Sequence, residues 1–225
     1  MKTIFYVTVI AVLLPLAAIS QNKSFYATTG GEMIFSFATI DNNGKESGNI
    51  MRWSPVFNLQ GYGNYDLNKN IGFIFGLGLR NVGFIYDEPG NNTKKKFRNY
   101  NIGIPVGIKL GNLNKVFIYG GYEIEFPIHY KEKTFIDEKK EKFSVWFSKR
   151  VPTYYHTAFI GVQFPYGLSL KFKYYISEFF NQNYIESDGT QPYKGFEANV
   201  FYFSLSTSLF RNDKVFYKEY SVSTY

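Results

Sequence analysis

The chain predicts an all-β fold, an eight-stranded antiparallel up-and-down transmembrane β-barrel, on three observations. Segments of membrane-strand length alternate strictly between apolar and polar residues, the connections between them alternate long and short, and aromatic residues reach 20% of the chain, with Tyr 20 and Phe 24. Strand side chains point to opposite faces with a period of two. Leu168, Leu170, Phe172, Tyr174 and Ile176 therefore share one face, while Ser169, Lys171, Lys173, Tyr175 and Ser177 share the other. The same split separates Val116, Ile118, Tyr122, Ile124, Phe126 and Ile128 from Phe117, Tyr119, Gly121, Glu123 and Glu125. It separates Phe201, Phe203, Leu205 and Leu209 from Tyr202, Ser204, Ser206 and Ser208. Barrels that span a membrane use aromatic residues for lipid contact and for girdles at both interfaces.

Eight strands are expected at about 32–40, 52–66, 70–86, 98–111, 114–130, 153–165, 167–180 and 196–210. Most reach the ~9 to 11 residues that a tilted membrane strand needs. Between them, 41–51, 87–97, 131–152 and 181–195 read as long polar loops, and 67–69, 111–115 and 165–167 as short turns. An even-stranded barrel with short periplasmic turns and long outer loops produces that order and puts both chain ends on the periplasmic side.

Ahead of the strands, Lys2 precedes an apolar run from Thr3 to Ile19, and Ala18, Ile19 and Ser20 form a small-x-small cleavage pattern before Gln21. The expected organisation is a cleaved signal peptide at 1–20, a barrel domain at 21–210 and a periplasmic tail at 211–225. In the tail, Val215, Phe216, Tyr217 and Tyr220 are expected to dock on the rim or on a partner. No later segment has the uncharged apolar run of a transmembrane helix. With Cys 0, disulfides, thiolate metal sites and thiol catalysis are excluded. The net charge of +7 raises nucleic acid as a partner, but an exported chain without a basic helix, an RNA-binding aromatic motif or a zinc-finger pattern argues against it. No cofactor is expected.

Alternation alone does not say which face points inward, since a secreted lipocalin-like barrel hides its apolar face around a ligand. The polar face carries Gly72, Gly76, Gly78, Gly103, Gly107, Gly121 and Gly161, and such small residues suit the narrow interior of eight strands. The expectation is apolar outward and polar inward, with the soluble barrel binding an apolar ligand as the alternative. Gly31, Glu32, Met33, Ile34, Phe35 and Ser36, and above all Gly76, Leu77, Gly78, Leu79, Arg80, Asn81, Val82, Gly83, Phe84, Ile85 and Tyr86, resemble the PorT-like outer-membrane β-barrel domain family of Gram-negative bacteria. The resemblance covers nearly all of the mature chain and implies an outer-membrane location, an eight-stranded barrel and a link to protein secretion. Phe210 looks like the terminal aromatic that barrel-assembly machinery recognises, although Arg211 to Tyr225 follow it here.

Candidate residues fall in three groups. Arg80, Lys109, Glu123, Glu125, Lys171 and Lys173 lie on polar faces and are expected to pair in the lumen as a charge plug. His129 falls by parity on the lumen side and His156 on the lipid side, so a lipid A-modifying enzyme, the second alternative, lacks an obvious converging site. The loop from Lys131 to Arg150 interleaves cations with Phe135, Phe143, Trp146 and Phe147. From it Lys139, Lys140 and Lys142, joined by Lys94, Lys95, Lys96 and Arg98 of the preceding loop, form a candidate surface for lipopolysaccharide or anionic glycan. The functional expectation is a non-enzymatic outer-membrane protein with a surface-binding, structural or secretion-accessory role, whose partners are outer-membrane lipid, lipopolysaccharide, the barrel-assembly machinery and a surface or secreted protein.

Overall fold

Strands β1 (Phe25–Asn42), β2 (Lys45–Glu46), β3 (Arg52–Ser54), β4 (Leu59–Asp66), β5 (Ile71–Asp87), β6 (Thr93–Gly111), β7 (Phe117–Ile136), β8 (Lys139–Trp146), β9 (Tyr155–Gln163), β10 (Leu168–Tyr175) and β11 (Phe196–Arg211) follow one another along the chain. The computed structural model describes residues 25–46, 50–88, 92–136 and 139–211; the expected signal peptide and residues 212–225 of the expected tail lie outside them.

Eight strands close a ring in the order β1, β4, β5, β6, β7, β9, β10, β11, every neighbouring pair antiparallel. The β1–β11 ladder seals it over Met33↔Leu205, Phe35↔Phe203 and Phe37↔Phe201. Closure leaves no edge strand within the ring, which is how strands cross lipid without orphaned backbone groups. Leu67 to Asn70, Asn112 to Val116 and Phe164 to Gly167 turn the chain at one end. There Asn68 Oδ1 accepts from the Asn70 and Ile71 amides at 2.8 and 3.0 Å, and Tyr166 (φ 64°) and Gly167 (φ 78°) make the tight reversal into β10. Phe25, opposite Tyr65, and Arg211, opposite Thr28, place both ends of the described chain at this same end.

Period-two alternation is realised as inside and outside. Ile71, Phe73, Phe75 and Leu77 on β5 are 40–48% exposed, and Ile102, Ile104, Val106, Ile108 and Leu110 on β6 are 41–50% exposed. The matching positions of β7, β10 and β11 (Ile118, Leu168, Leu170, Phe203 and Leu205) continue the band. An apolar belt of this extent around a ring whose charges are buried suits hydrocarbon and not water. The soluble lipocalin-like alternative requires the reverse arrangement. Trp53, Phe57, Tyr154, Trp146 and Phe147 stand exposed at the far edge of the belt, and Tyr65, Phe164 and Tyr166 near the short turns.

The interior has two tiers. Near the short turns it is mostly polar, as expected, around one small apolar cluster of Ile74, Tyr119 and Phe159. Toward the long connections it is apolar: Ile34, Ala38, Ile40, Val82, Phe84, Phe97, Ala198 and Val200 point inward around Phe179, Phe180 and Tyr193. Tyr193 belongs to the segment expected as a long surface loop at 181–195, while Phe179 and Phe180 belong to the end of the strand expected at 167–180, which stops at Tyr175. Both fold into the mouth instead, because an aromatic-lined end gives Phe180 more apolar contact than water does. Its ring stacks on Tyr193 at 4.2 Å and meets Phe97 edge-on at 5.0 Å.

Further expected boundaries change. The loops at 87–97 and 131–152 are mostly strand, since β5, β6 and β7 continue past the belt and β8 folds back on β7 from His129 to Ile136. The first strand begins at Phe25, not near 32. The strand expected over 52–66 breaks at Pro55, which has no amide proton to donate to a ladder. On either side, β3 pairs with β1 at Ile34–Ser36 and β4 pairs with it at Phe25–Gly31. Side chains close the gap this leaves beside β5. Arg52 donates to the Asn81 carbonyl (3.1 Å) and side-chain oxygen (2.6 Å), Asn58 accepts from the Asn81 amide (2.7 Å), and Ser36 donates to the Gly83 carbonyl (2.6 Å).

Candidate functional site

All six expected lumen charges point inward and are at most 1% exposed. Arg80 Nε meets Glu32 at 3.2 Å, and its Nη1 reaches Glu123 and, at 3.6 Å, Glu125. Lys173 bridges Glu123 at 2.6 Å and also pairs with Glu125, while Lys171 pairs with Glu32 at 2.8 Å. Three cations thus face three carboxylates in one cluster, which offsets the cost of removing each from water. Lys109 stands apart, nearer the short turns, bound to Asp66, to the Tyr26 hydroxyl at 3.0 Å and to Asn64 at 3.1 Å. Glu32 and Asp66 complete the network, and sequence alternation exposes neither. Around Glu32 both faces of β1 carry apolar residues, Met33 and Phe35 outward and Ile34 inward, so alternation did not expose it.

The second candidate group stands above the belt on a sheet made by the extensions of β5, β6 and β7 together with β8. Register decides which side chains share a face. Lys96, Lys133 and Lys142 lie in one row; Arg98, Lys131 and Ser144 in the next; Lys94, Phe135 and Lys140 in the row beyond. The outer face thus carries seven cations. Among the described residues its one carboxylate is Asp87, 3.7 Å from Lys94. Lys96 and Lys140 flank the Phe135 ring at 5.4 and 5.6 Å, and Lys131 lies over Tyr100 at 5.1 Å. Partial burial, and then the charges of Arg98, Lys140, Lys142 and Lys96, hold the Lys133 ammonium below the usual lysine range. A cleft of about 290 Å³ opens on this face between Asp87, Asn92, Lys94, Lys96 and Phe135. Directly below, His129 is stacked between Trp146 (4.2 Å) and Tyr100 (5.8 Å), so the cationic face begins where the aromatic girdle ends.

No protein-family model and no curated protein matches the chain. Among solved structures it is similar to Ail, the attachment invasion locus protein of Yersinia pestis, at 14% identity and a TM-score of 0.39, over 81% of this chain and 97% of Ail. Neisserial surface protein A gives 12% identity and a TM-score of 0.37 over 83% and 97% of the two chains. OprG of Pseudomonas aeruginosa gives 10% and 0.34 over 82% and 93%. At these values the likeness adds nothing to what the barrel's own geometry establishes.

Of the seven surface cations expected from sequence, Lys94, Lys96, Arg98, Lys140 and Lys142 come together on the outer face. Lys95, opposite Thr134, and Lys139, opposite Ile136, lie on the other face. Lys131 and Lys133 take part without having been singled out. The cause is a β-bulge: Tyr100 pairs with His129 and Asn101 with Pro127, leaving Ile128 as an extra residue. Below it the odd residues Glu123 and Glu125 point inward; above it Tyr130 points inward and His129 outward. The parity assignment of His129 to the lumen is thereby corrected. His156 is outward as expected, within hydrogen-bond reach of the Tyr122 hydroxyl.

Proposed function

We propose that the protein is a non-enzymatic outer-membrane barrel, inserted by the barrel-assembly machinery, whose cationic sheet face holds the phosphates of outer-leaflet lipopolysaccharide. The single observation that carries this reading is the row geometry of the outer face, seven cations against one carboxylate among the described residues, set immediately above an aromatic girdle. Like charges on adjacent strands repel one another and weaken a sheet. Their alignment here is explained by an anion that neutralises them. An apolar belt, a salt-bridged lumen and short turns at the end that bears both described termini suit a barrel exported through the periplasm. The segments at 31–36 and 76–86 that resemble the PorT-like family fit the same location, and a secretion or surface-protein partner would meet this same extracellular sheet.

The test is binding of lipopolysaccharide to the purified barrel. Each Lys near an anionic membrane surface contributes about 1 kcal/mol. Replacing Lys96, Lys133 and Lys142 with Gln is therefore expected to weaken binding by roughly 100-fold and to flatten its salt dependence. Replacing Lys95 and Lys139, on the opposite face, is expected to leave binding nearly unchanged. Equal losses in the two variants would reduce the patch to net charge, and no loss in the first would refute the reading.

A further inference from the structure

At the foot of the cationic face the outer wall is indented. A groove of about 620 Å³ there is lined by Phe126, Pro127 and Ile128 of the bulged stretch of β7 and by Phe147, Val151 and Pro152, of which Val151 also packs in the buried apolar cluster of the upper interior. Ser148, Lys149, Thr153 and Asn181 set its polar rim. The walls are held in place from behind. Asn181 donates to the Lys149 carbonyl at 3.0 Å and its amide to the Arg150 carbonyl at 2.9 Å, and Arg150 is bound to Glu186 at 2.7 Å and to the Tyr193 hydroxyl at 3.1 Å. Phe147 is 75% exposed in a left-handed conformation (φ 51°), a costly arrangement for a bulky residue, and it projects beside the groove.

We infer that this groove seats one acyl chain of a lipopolysaccharide molecule whose phosphates lie on the cationic face; the inference rests on the proposed function. Three observations choose that occupant. The groove continues the lipid-facing belt, since Phe126 is the last outward residue of β7 below the bulge. Its volume lies within the ~300 to 1,000 Å³ of sites that enclose a small ligand. A cation, Lys149, stands on its rim, and His129 and Trp146 join it to the rows of lysine above. A lipid held at both ends is restrained by chain and headgroup together, so the two contacts reinforce each other.

The experiment compares intact lipopolysaccharide with its fully deacylated, still phosphorylated oligosaccharide, binding each to the full-length membrane-purified protein in zwitterionic micelles. Thr153→Trp fills the groove from its exposed rim, Ser148→Phe does so from the other side, and a heat-dependent shift in electrophoretic mobility certifies that each variant is folded. Partition of the intact lipid into micelles is common to all the proteins and cancels in the comparison. The wild-type protein is expected to prefer the intact form by tenfold or more. Each variant is expected to lose that preference while binding the oligosaccharide unchanged. A preference that survives both substitutions, or a wild-type protein that binds the two forms equally, overturns the groove and leaves the cationic face standing. Binding of the intact form alone, lost in both variants, upholds the groove and removes the cationic face. Binding of neither form overturns both.

Discussion

At the scale of the residue, the lumen is decided by what glycine leaves room for. A Cβ on Gly103 would stand 1.9 Å from Glu123 Oε1 and 2.9 Å from Arg80 Nη1. Neither group can retreat, because each is held by further partners. On Gly121 a Cβ would stand 2.0 Å from the Val106 carbonyl oxygen, a backbone atom. Gly121→Ala is therefore expected to destabilise the folded barrel by about 1–3 kcal/mol, read as a lower urea midpoint in micelles. Glu123→Gln has a different mechanism with a larger effect. It strips a carboxylate shared by Arg80 and Lys173, and leaving a buried charge under-compensated costs about 3–5 kcal/mol. The same unfolding measurement checks it. A loss below that of Gly121→Ala would mean that water, not the carboxylate, neutralises the lumen.

At the scale of the element, one bulge and one infolded loop organise the half of the barrel toward the long connections. The extra residue at Ile128 turns Lys131 and Lys133 outward to join Arg98 and Lys142. Deleting Ile128 removes the extra residue, so Pro127 and His129 stay opposite Asn101 and Tyr100, and Lys131 and Lys133 are expected to remain outward with lipopolysaccharide binding retained. Inserting one residue between Tyr130 and Lys131 is expected instead to bring Lys131 and Lys133 to the inner face and to abolish binding, since a one-residue shift exchanges the two faces of a strand. Retained binding in the insertion variant would show that the facing of these two lysines does not carry the site. The infolded loop acts through packing. Phe180 is 2% exposed and touches Phe84, Phe97, Phe179, Tyr193 and Phe196. Its truncation to Ala is expected to cost about 3–5 kcal/mol and to raise protease cleavage between 181 and 195.

At the scale of the whole molecule, the two interior tiers lie in series along the barrel axis. The aromatic tier closes the mouth, and the salt-bridged tier closes the narrow section below it. Eight strands leave an interior that side chains just fill. Planar-bilayer recording is expected to show no steady conductance, both for the wild-type protein and after a short Gly-Ser linker replaces residues 178–195, because the ionic tier remains. Steady current in the shortened protein would locate the seal in the loop alone. The closed ring is also expected to migrate faster in SDS before heating than after.

Much of this architecture is written locally. Strand existence, the inward faces of β7, β10 and β11, and six of the eight lumen charges follow from alternation, because a strand without a bulge keeps its parity and a lipid-facing side chain has one acceptable chemistry. Glu32 stayed illegible where both faces of β1 are apolar, Asp66 because it closes its strand at a turn, and His129 because one inserted residue reversed the parity above it. The apolar upper interior, the loop that fills it and the break at Pro55 bridged from Arg52 to Asn81 depend on residues 29 to more than 80 positions apart in sequence. So does the alignment of Lys96, Lys133 and Lys142, which are loop residues by composition and a single row only once β6, β7 and β8 are in register. Local patterning constrains each strand by its solvent, water or lipid. Which strands meet, and therefore which charges share a face, is settled by long-range pairing whose free energy no single segment carries.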